Sequence, residues 1–229
     1  MTTVSITLQD WRAWHPGRAP HADSRLSVDP QPRGASVPAM LRRRLNASGR
    51  VVCDMLSELD PEARRVLIYA SRHGDGDRTL EMLYALAEQE PLSPARFGMS
   101  VHNATLGVHS IASGNRHSLQ AIAAGGAEVA ALFSETRGYF AEGERDVIAV
   151  FSDAPVPERF AAHVTEPTEL AVVALLLSAS GGREIHTRPC DASQAGQARS
   201  PQPSDLIAWL LDEAPLVCPS RRLTWTLSP

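Results

Sequence analysis

The sequence predicts an α/β protein with a mostly parallel, mixed sheet and helices on both faces. Two apolar runs, VLIYA at 66–70 and VIAVF at 147–151, have the composition of strands that are covered on both faces. Amphipathic segments alternate with these runs, which is the pattern of an α/β domain. The chain of 229 residues is 43% hydrophobic and 21% charged, so it is long enough and apolar enough to bury a core.

The first part of the chain is predicted to contain five segments. In order, they are a strand or short turn, a proline-rich loop, a helix, a buried strand and a second helix: Ile6–Trp14, 15–38, 38–59, Val66–Ala70 and 78–90. Pro38 suits the first turn of the first helix, and Asp60-Pro61 is expected to end it. Asp77 is expected to cap the second helix.

The later segments are a long helical stretch, three strands with a helix between the first two, a loop, a helix and an edge strand. We predict the helical stretch at 92–114, the strands at 118–124, 146–153 and 170–179, the loop at 181–203, the helix at 204–213 and the edge strand at 221–228. The strand at 170–179 is also compatible with a helix, because periodicity does not separate the two.

The segment GNRHSLQAIAAGGAEVAALF, residues 114–133, has the most distinctive pattern. A short strand turns sharply into an Ala-rich helix, and such an elbow holds the nucleophile in many α/β enzymes. Here the turn contains only Ala123, Ala124, Gly125 and Gly126. The elbow is therefore predicted to lack a reactive side chain.

Composition argues against several classes of function. A net charge of −4 and only 5% aromatic residues do not favour nucleic-acid binding. Three widely spaced cysteines without a CxxC motif predict neither a disulfide framework nor a zinc site. The N-terminus lacks the pattern of a signal peptide, and the longest apolar run, 170–177, is too short to span a bilayer. We therefore expect a cytoplasmic protein.

The histidines are the first candidates for chemistry. His102 and His109 are about two helical turns apart, and with His117 they suggest a metal site. No Asp, Glu or Cys accompanies them at ligand spacing, however, so histidines packed at a helix surface or an interface are favoured and no metal is predicted.

The segment SRHGDGD at 71–77 is the second candidate, because Ser71, His73 and Asp75 follow a buried strand. These residue types occur in hydrolases, but neighbours in sequence rarely face one another as a triad requires. A structural turn in which Arg72 and Asp75 make local or interface polar contacts is favoured. The basic cluster LRRRL at 41–45 is interpreted mainly as a solvated face, with binding of an acidic carrier protein as the alternative.

The order of these segments resembles the N-terminal half of a thiolase-fold β-ketoacyl-acyl-carrier-protein synthase. Three stretches have this similarity: AMLRRRLNASGRVV, SVHNATLGVHSIASGN and SLQAIAAGGAEVAALFSE. With DWRAW and ASRHGDGDRTLEML, the chain is similar to the β-ketoacyl synthase-like N-terminal domain family. The resemblance implies a thiolase-like domain at 1–155 and an extension at 156–229 that completes or flanks the same sheet.

The nucleophilic Cys of working synthases has no counterpart in this chain. Counting from Gly114 puts Ala123 at its position, whereas matching the following helix puts Ala124 there. No histidine of this chain matches the catalytic histidines of the synthases. The resemblance therefore implies a catalytically inactive chain length factor without a cofactor, as in aryl-polyene-type pathways of fatty acid and polyketide biosynthesis.

Such a subunit is expected to form a heterodimer with an active β-ketoacyl-ACP synthase, and acyl carrier protein is a possible further partner. The residues expected at the partner interface or acyl-tunnel wall are His102, Asn103, Leu106, Ser118, Leu119, Ala121, Ala123 and Phe133. Two alternatives remain open at this point. One is an independent hydrolase or transferase that uses either Ser71, His73 and Asp75 or the His102/His109 pair, and the other is a homodimeric scaffold.

Overall fold

A nine-stranded mixed sheet forms the centre of the computed structural model, which describes residues 5–164, 166–191 and 199–229. Its strands are β1 Thr7–Trp14, β2 Leu26–Ser27, β3 Val66–Ala70, β4 Leu119–Ile122, β5 Asp146–Asp153, β6 Ala171–Ser178, β7 Arg183–Pro189, β8 Leu216–Cys218 and β9 Leu223–Leu227. The helices are α1 Ala39–Arg42, α2 Ala47–Leu59, α3 Gly76–Ala87, α4 Pro94–Gly98, α5 Ala104–Ser113, α6 Glu128–Ala141 and α7 Pro203–Leu210. Short 3₁₀ helices occupy Glu158–His163 and Pro219–Arg221.

The strand order is β4-β3-β5-β6-β1-β7-β9-β8, with β2 beside β1. The predicted α/β class is confirmed, but parallel pairing is limited to β4-β3-β5 and the short β1-β2 contact. From β5 through β8 the remaining neighbours are antiparallel. Strands from both predicted parts of the chain, 1–155 and 156–229, belong to this sheet.

The core has a layer on each face of the sheet, because successive side chains of a strand point to opposite faces. Along β3, Val66, Ile68 and Ala70 belong to the core layer that includes residues of α6 and α7, whereas Leu67 and Tyr69 belong to the layer that includes residues of α2 and α5. All five residues of β3 are buried. This explains why the central strands have continuous apolar runs in the sequence.

Two predicted helices are interrupted. The helix predicted from Pro38 is divided into α1 and α2, because the side chain of Asn46 accepts a hydrogen bond from the Gly49 amide and caps a new helix. The stretch predicted at 92–114 contains α4 and α5 with a turn between them, although it ends at Gly114 as expected, with a φ of +76°.

Three further predictions need correction. Asp75, and not Asp77, caps α3, because its carboxylate accepts from the Arg78 amide. The predicted loop at 181–203 contains strand β7, which pairs with β9, and residues 192–198 lie outside the described residues. Strand β9 is therefore internal, and β8 forms that edge of the sheet. By contrast, the strand predicted at 170–179 is confirmed as β6, and the helical alternative does not apply.

Helices α3 and α4 pack differently from α2, α5, α6 and α7, each of which has buried residues. Neither contains a buried residue, and large apolar side chains such as Leu83, Leu86 and Phe97 are exposed on them. Within the described residues, no helix is both long enough and apolar enough to cross a membrane.

Candidate functional site

Strand β4 lies at one edge of the sheet and leads directly into the elbow. It pairs with β3, where the carbonyl of Ser118 accepts from the Leu67 amide at 3.0 Å and that of Ile122 accepts from the Ser71 amide at 3.1 Å. Because main-chain groups alternate in direction along a strand, those of Leu119 and Ala121 point away from β3. The open edge therefore offers hydrogen-bonding groups to another strand.

The elbow turns within four residues because two glycines adopt left-handed conformations. Gly125 has a φ of +58° and Gly126 a φ of +98°. A Cβ atom on Gly126 would come within 2.6 Å of Ser200 Oγ, so backbone freedom and limited space both require glycine there. Ala123 is exposed, and Ala124 packs partly against the core. Neither methyl group can attack an acyl thioester.

A buried carboxylate fixes the conformation of the elbow. Glu128, the first residue of α6, is fully buried, and its Oε1 accepts from the Ala124 amide at 3.1 Å and the Gly126 amide at 3.0 Å. Its Oε2 lies 3.6 Å from Nη2 of Arg72, which follows β3. The turn is therefore held by the protein's own charges and amides.

Arg72 connects the elbow to the later part of the chain. Its Nη1 lies 3.3 Å from Glu166 Oε2, and Glu166 Oε1 accepts from the Ser200 amide at 3.2 Å. Ser200 in turn contacts Gly126. Side chains from three separate segments thus close around one tight turn that contains no nucleophile.

Besides having this elbow at the edge of a mixed sheet, the chain matches one protein family over almost its whole length. Residues 11–228 match the family described as beta-ketoacyl synthase, N-terminal domain. The chain belongs to this family. The resemblance predicted from the sequence is therefore confirmed, and no curated protein matches.

Solved structures of ketosynthases share the thiolase-like fold. A chain in the structure of the ketosynthase ApeO in complex with its chain length factor ApeC, from Xenorhabdus doucetiae, is 26% identical with a TM-score of 0.77. That match covers 98% of this chain and 99% of the other. The ishigamide ketosynthase/chain length factor has a TM-score of 0.58 at 12% identity, covering 85% of this chain and 70% of the other.

A third similar structure contains a carrier protein. It is AntDE:AntF, a type II PKS acyl-carrier protein in complex with its ketosynthase, with a TM-score of 0.57 at 16% identity. The match covers 85% of this chain and 73% of the other. At these low identities the ishigamide and AntDE:AntF structures support the fold alone.

The second predicted site of this ketosynthase-family chain, the turn after β3, is a structural turn. Ser71 Oγ donates to Asp153 Oδ1 at 3.0 Å and accepts from the Gly74 amide at 2.8 Å, instead of facing His73. The carboxylate of Asp75 binds Arg78. The favoured structural turn is found, with local contacts of Asp75, but the side chain of Arg72 contacts Glu128 and Glu166 in distant segments. These bonds do not form a catalytic triad.

Asp153 organises this turn from the end of β5. Its carboxylate accepts from the amides of Arg72 and His73 as well as from Ser71. Burial raises the pKa of Asp153, although these three hydrogen bonds act in the opposite direction. A cavity of about 40 Å³ lies beside it, between Tyr69, Asp75 and other residues. This cavity has room for no more than a few water molecules.

The histidines do not converge on one site. His109 is buried on α5, and burial lowers its pKa. His102 precedes α5 and packs against Gly74, whereas His117 is exposed on the loop before β4. No group of three His, Cys, Asp or Glu residues that could hold a metal ion occurs at 5–164, 166–191 or 199–229.

The predicted interface residues are only partly brought together. Ser118, Leu119, Ala121 and Ala123 lie along β4 and the elbow, and each is exposed or half-buried. Asn103 is exposed and His102 half-buried just before α5. Binding of a partner subunit to these six residues stays a prediction.

Leu106 and Phe133, the other two residues predicted at the partner interface or acyl-tunnel wall, are buried in the core of this chain, and a role of either in a tunnel wall stays a prediction. Leu106 is 0% exposed in the core layer that contains α2, and Phe133 is 1% exposed in the layer on the opposite face of the sheet. The ring of Phe133 packs 5.6 Å from that of Trp225. Hydrophobic residues on amphipathic helices face the core first, and this rule outweighs their nearness in sequence to the elbow.

Sequence reasoning missed the charged groups that hold the elbow. Glu128 had a visible signal, because an acidic residue in the first turn of a helix readily binds nearby backbone amides. Arg72, Asp153 and Glu166 had no comparable signal, since their contacts depend on how distant segments meet.

Proposed function

We propose that this chain is a non-catalytic, cytoplasmic chain length factor that forms a heterodimer with an active β-ketoacyl-ACP synthase. In this proposal it shapes the product of fatty acid or polyketide biosynthesis of the aryl-polyene type. It needs no cofactor, because the partner performs the condensation. The carrier protein that brings acyl groups is the partner's substrate.

One observation supports this proposal above the others. The elbow is built in full, with two left-handed glycines and a buried carboxylate, but Ala occupies both positions where a nucleophile would stand. The strand before it has an open edge. An elbow that has the usual backbone shape but no nucleophile is consistent with a subunit that contributes part of the surface of a partner's active site.

The likeness to the ApeO–ApeC structure adds support. That match extends over 98% of this chain and 99% of the matched chain, at 26% identity. The structure combines a ketosynthase with its chain length factor, so this fold at this size occurs in such a complex. We propose that this chain forms such a heterodimer with its own ketosynthase.

The experiment targets the open edge of β4. The chain is co-expressed with the ketosynthase encoded nearest to it, and the complex is measured by size exclusion with light scattering. Ala121→Pro removes an amide that points away from β3, and an edge strand tolerates proline at such a position. We expect this variant to fold alone but to bind the synthase at least tenfold more weakly.

Ala121→Val is the matched control, because it keeps the amide and favours a strand. We expect it to form the heterodimer, and the complex to yield products of defined length that change when the chain is omitted. A native chain that stays monomeric with the synthase, or that forms only homodimers, would overturn the proposal. So would a product profile that is the same with and without the chain.

A further inference from the structure

The two glycines of the elbow face different surroundings. Gly125 is exposed, and a Cβ atom added to it would meet no other atom within 4 Å. Gly126 is buried, and its added Cβ atom would lie 2.6 Å from Ser200 Oγ, 3.1 Å from Ser200 Cβ and 3.6 Å from Arg72 Nη2. The elbow therefore has an open outer face at Gly125 and a covered inner face at Gly126.

The inner face is covered from several directions. The amide of Gly126 donates to both carboxylate oxygens of Glu128 at 3.0 Å, and its carbonyl lies 3.9 Å from the buried thiol of Cys218 at the end of β8. Ser200 fills the remaining direction, which is the one that a side chain on residue 126 would take. Ser200 thus occupies the space in which an inward-facing reactive group of the elbow would stand.

A short segment, residues 199–202, holds Ser200 in this position, and we call it the strap. Both of its ends bind Asp205 in the first turn of α7. Arg199 pairs with this carboxylate through two nitrogens, at 2.8 and 3.0 Å, and the Gln202 amide donates to it at 2.8 Å. The strap is therefore a loop whose shape is fixed by its own bonds.

The strap is also joined to the segment that precedes β6. The Ser200 amide donates to Glu166 Oε1 at 3.2 Å. The side-chain amide of Gln202 donates to the Pro167 carbonyl at 2.7 Å and accepts from the Glu169 amide at 3.2 Å. Gln202 is 1% exposed, and hydrogen bonds shielded from water in this way are electrostatically stronger than exposed ones. The two segments thus form one bonded unit.

A charged contact holds this unit against the elbow. Glu166 Oε2 lies 3.3 Å from Arg72 Nη1, and Arg72 Nη2 lies 3.6 Å from Glu128 Oε2. Burial raises the pKa of Glu166, but the hydrogen bonds from Ser200 and the charge of Arg72 lower it below its ordinary value of 4.5. Glu166 is therefore ionised at neutral pH, and its attraction to Arg72 keeps Ser200 on Gly126.

We propose that the strap is a charge-held cover, which closes the inner face of the elbow and leaves only the outer face open to other molecules. While the strap is closed, no acyl group reaches the inner face, even where residue 126 carries a thiol. The cover is thus a feature separate from the missing nucleophile. The inference goes beyond the proposed function and does not depend on a partner, because every contact that carries it lies within the chain.

The test measures how fast a thiol in the strap reacts with a maleimide, followed by intact mass. Ser200→Cys places the thiol in the strap, whereas Ser134→Cys places one at an exposed position of α6. Cys53, Cys190 and Cys218 are buried, and the native chain gives their background. We expect the strap thiol to react at least tenfold more slowly, with both rates compared per thiolate from their pH dependence.

Glu166→Gln in the Ser200→Cys chain tests the charged contact, because it removes the charge but keeps an oxygen that accepts from the amide of residue 200. Glu158→Gln is the matched control at an exposed position. We expect Glu166→Gln to speed labelling of the strap thiol at least tenfold, and Glu158→Gln to leave the rate within twofold. Sodium chloride at about 1 M screens the same contact without a second substitution and is expected to speed labelling as well.

Three results would overturn the proposal. They are equal rates for Ser200→Cys and Ser134→Cys, slow labelling that neither Glu166→Gln nor salt speeds, and equal acceleration by Glu166→Gln and Glu158→Gln. Unfolding is recognised separately, because it also exposes Cys53, whose pKa burial raises to about 12, and adds further labels to the mass. Labelling uses the chain alone, so a failure to pair with a synthase would contradict only the proposed function.

Discussion

Two turns at the same end of the parallel strands differ in the chemistry that their residue types suggest and in the geometry that they adopt. The turn after β3 contains Ser71, His73 and Asp75, residue types that occur in hydrolytic enzymes. The side chains of Ser71 and Asp75, however, form hydrogen bonds that stabilise the turn. The turn after β4 contains only alanine and glycine, yet it has the tight geometry of a nucleophile elbow. Reactive residue types and site geometry are thus separated in this molecule.

From this difference we infer that backbone geometry indicates the family of the protein, whereas the hydrogen-bond partners of a side chain indicate whether it can take part in a reaction. At the elbow, a buried carboxylate and two left-handed glycines maintain the tight turn. At the turn after β3, one carboxylate, Asp153, uses the donors that a catalytic site would leave available. Three changes test this separation.

Removing Glu128 is expected to have the largest effect. Glu128→Ala leaves the amides of Ala124 and Gly126 buried without an acceptor, and it leaves Arg72 with only Glu166 as a counter-charge. Breaking a buried charged pair in this way destabilises by about 3 to 5 kcal/mol. Urea unfolding at neutral pH measures the loss.

Glu135→Ala, two turns further along α6, is the control and is expected to change the free energy of unfolding by less than about 0.5 kcal/mol. If the two variants unfold at the same urea concentration, Glu128 does not hold the elbow.

Adding a methyl group to either glycine of the elbow is expected to have an intermediate effect that differs between neighbours. Gly125→Ala meets no atom within 4 Å and keeps a φ of +58°, which costs about 1 kcal/mol. Gly126→Ala is strained at a φ of +98° and approaches Ser200, so we expect about 2 to 3 kcal/mol. Thermal unfolding of the pair makes the comparison, and equal losses would mean that the turn relaxes freely.

The sequence predicts much of the fold because its signals are local. The buried strands at 66–70 and 146–153 match β3 and β5 as observed, since continuous apolar runs identify strands covered on both faces. The elbow was visible because two glycines interrupt a strand and a helix. Predictions failed where distant pairing decides the outcome, as for β7, a polar strand that forms because β9 pairs with it.

The site was predictable to the same limited extent. Ala123 and Ala124 are found at the elbow as the sequence indicates, but no local pattern reveals that Arg72 and Glu166 converge on it from segments 94 residues apart. For the same reason Leu106 and Phe133, close to the site in sequence, were not recognised as core residues of opposite layers.

The smallest expected effect concerns pH and the turn after β3. Burial raises the folded-state pKa of Asp153 above its ordinary value of 3.8, so the folded protein binds more protons there than the unfolded chain as pH rises through this range. Stability from this group is present below pH 3.8 and is lost as pH rises through the folded-state pKa, by no more than about 1.4 kcal/mol per pH unit. Asp153→Asn removes this contribution, so its free energy of unfolding is expected to decrease less than that of the native chain as pH rises above 3.8. Asp146→Asn, at the opposite end of β5, is the control, and its free energy of unfolding is expected to change with pH as that of the native chain does.

The native chain and Asp153→Asn could instead show the same dependence of the free energy of unfolding on pH. That result would show that Asp153 ionises in the folded protein as it does in the unfolded chain, and that the hydrogen bonds from Ser71, Arg72 and His73 fully offset its burial.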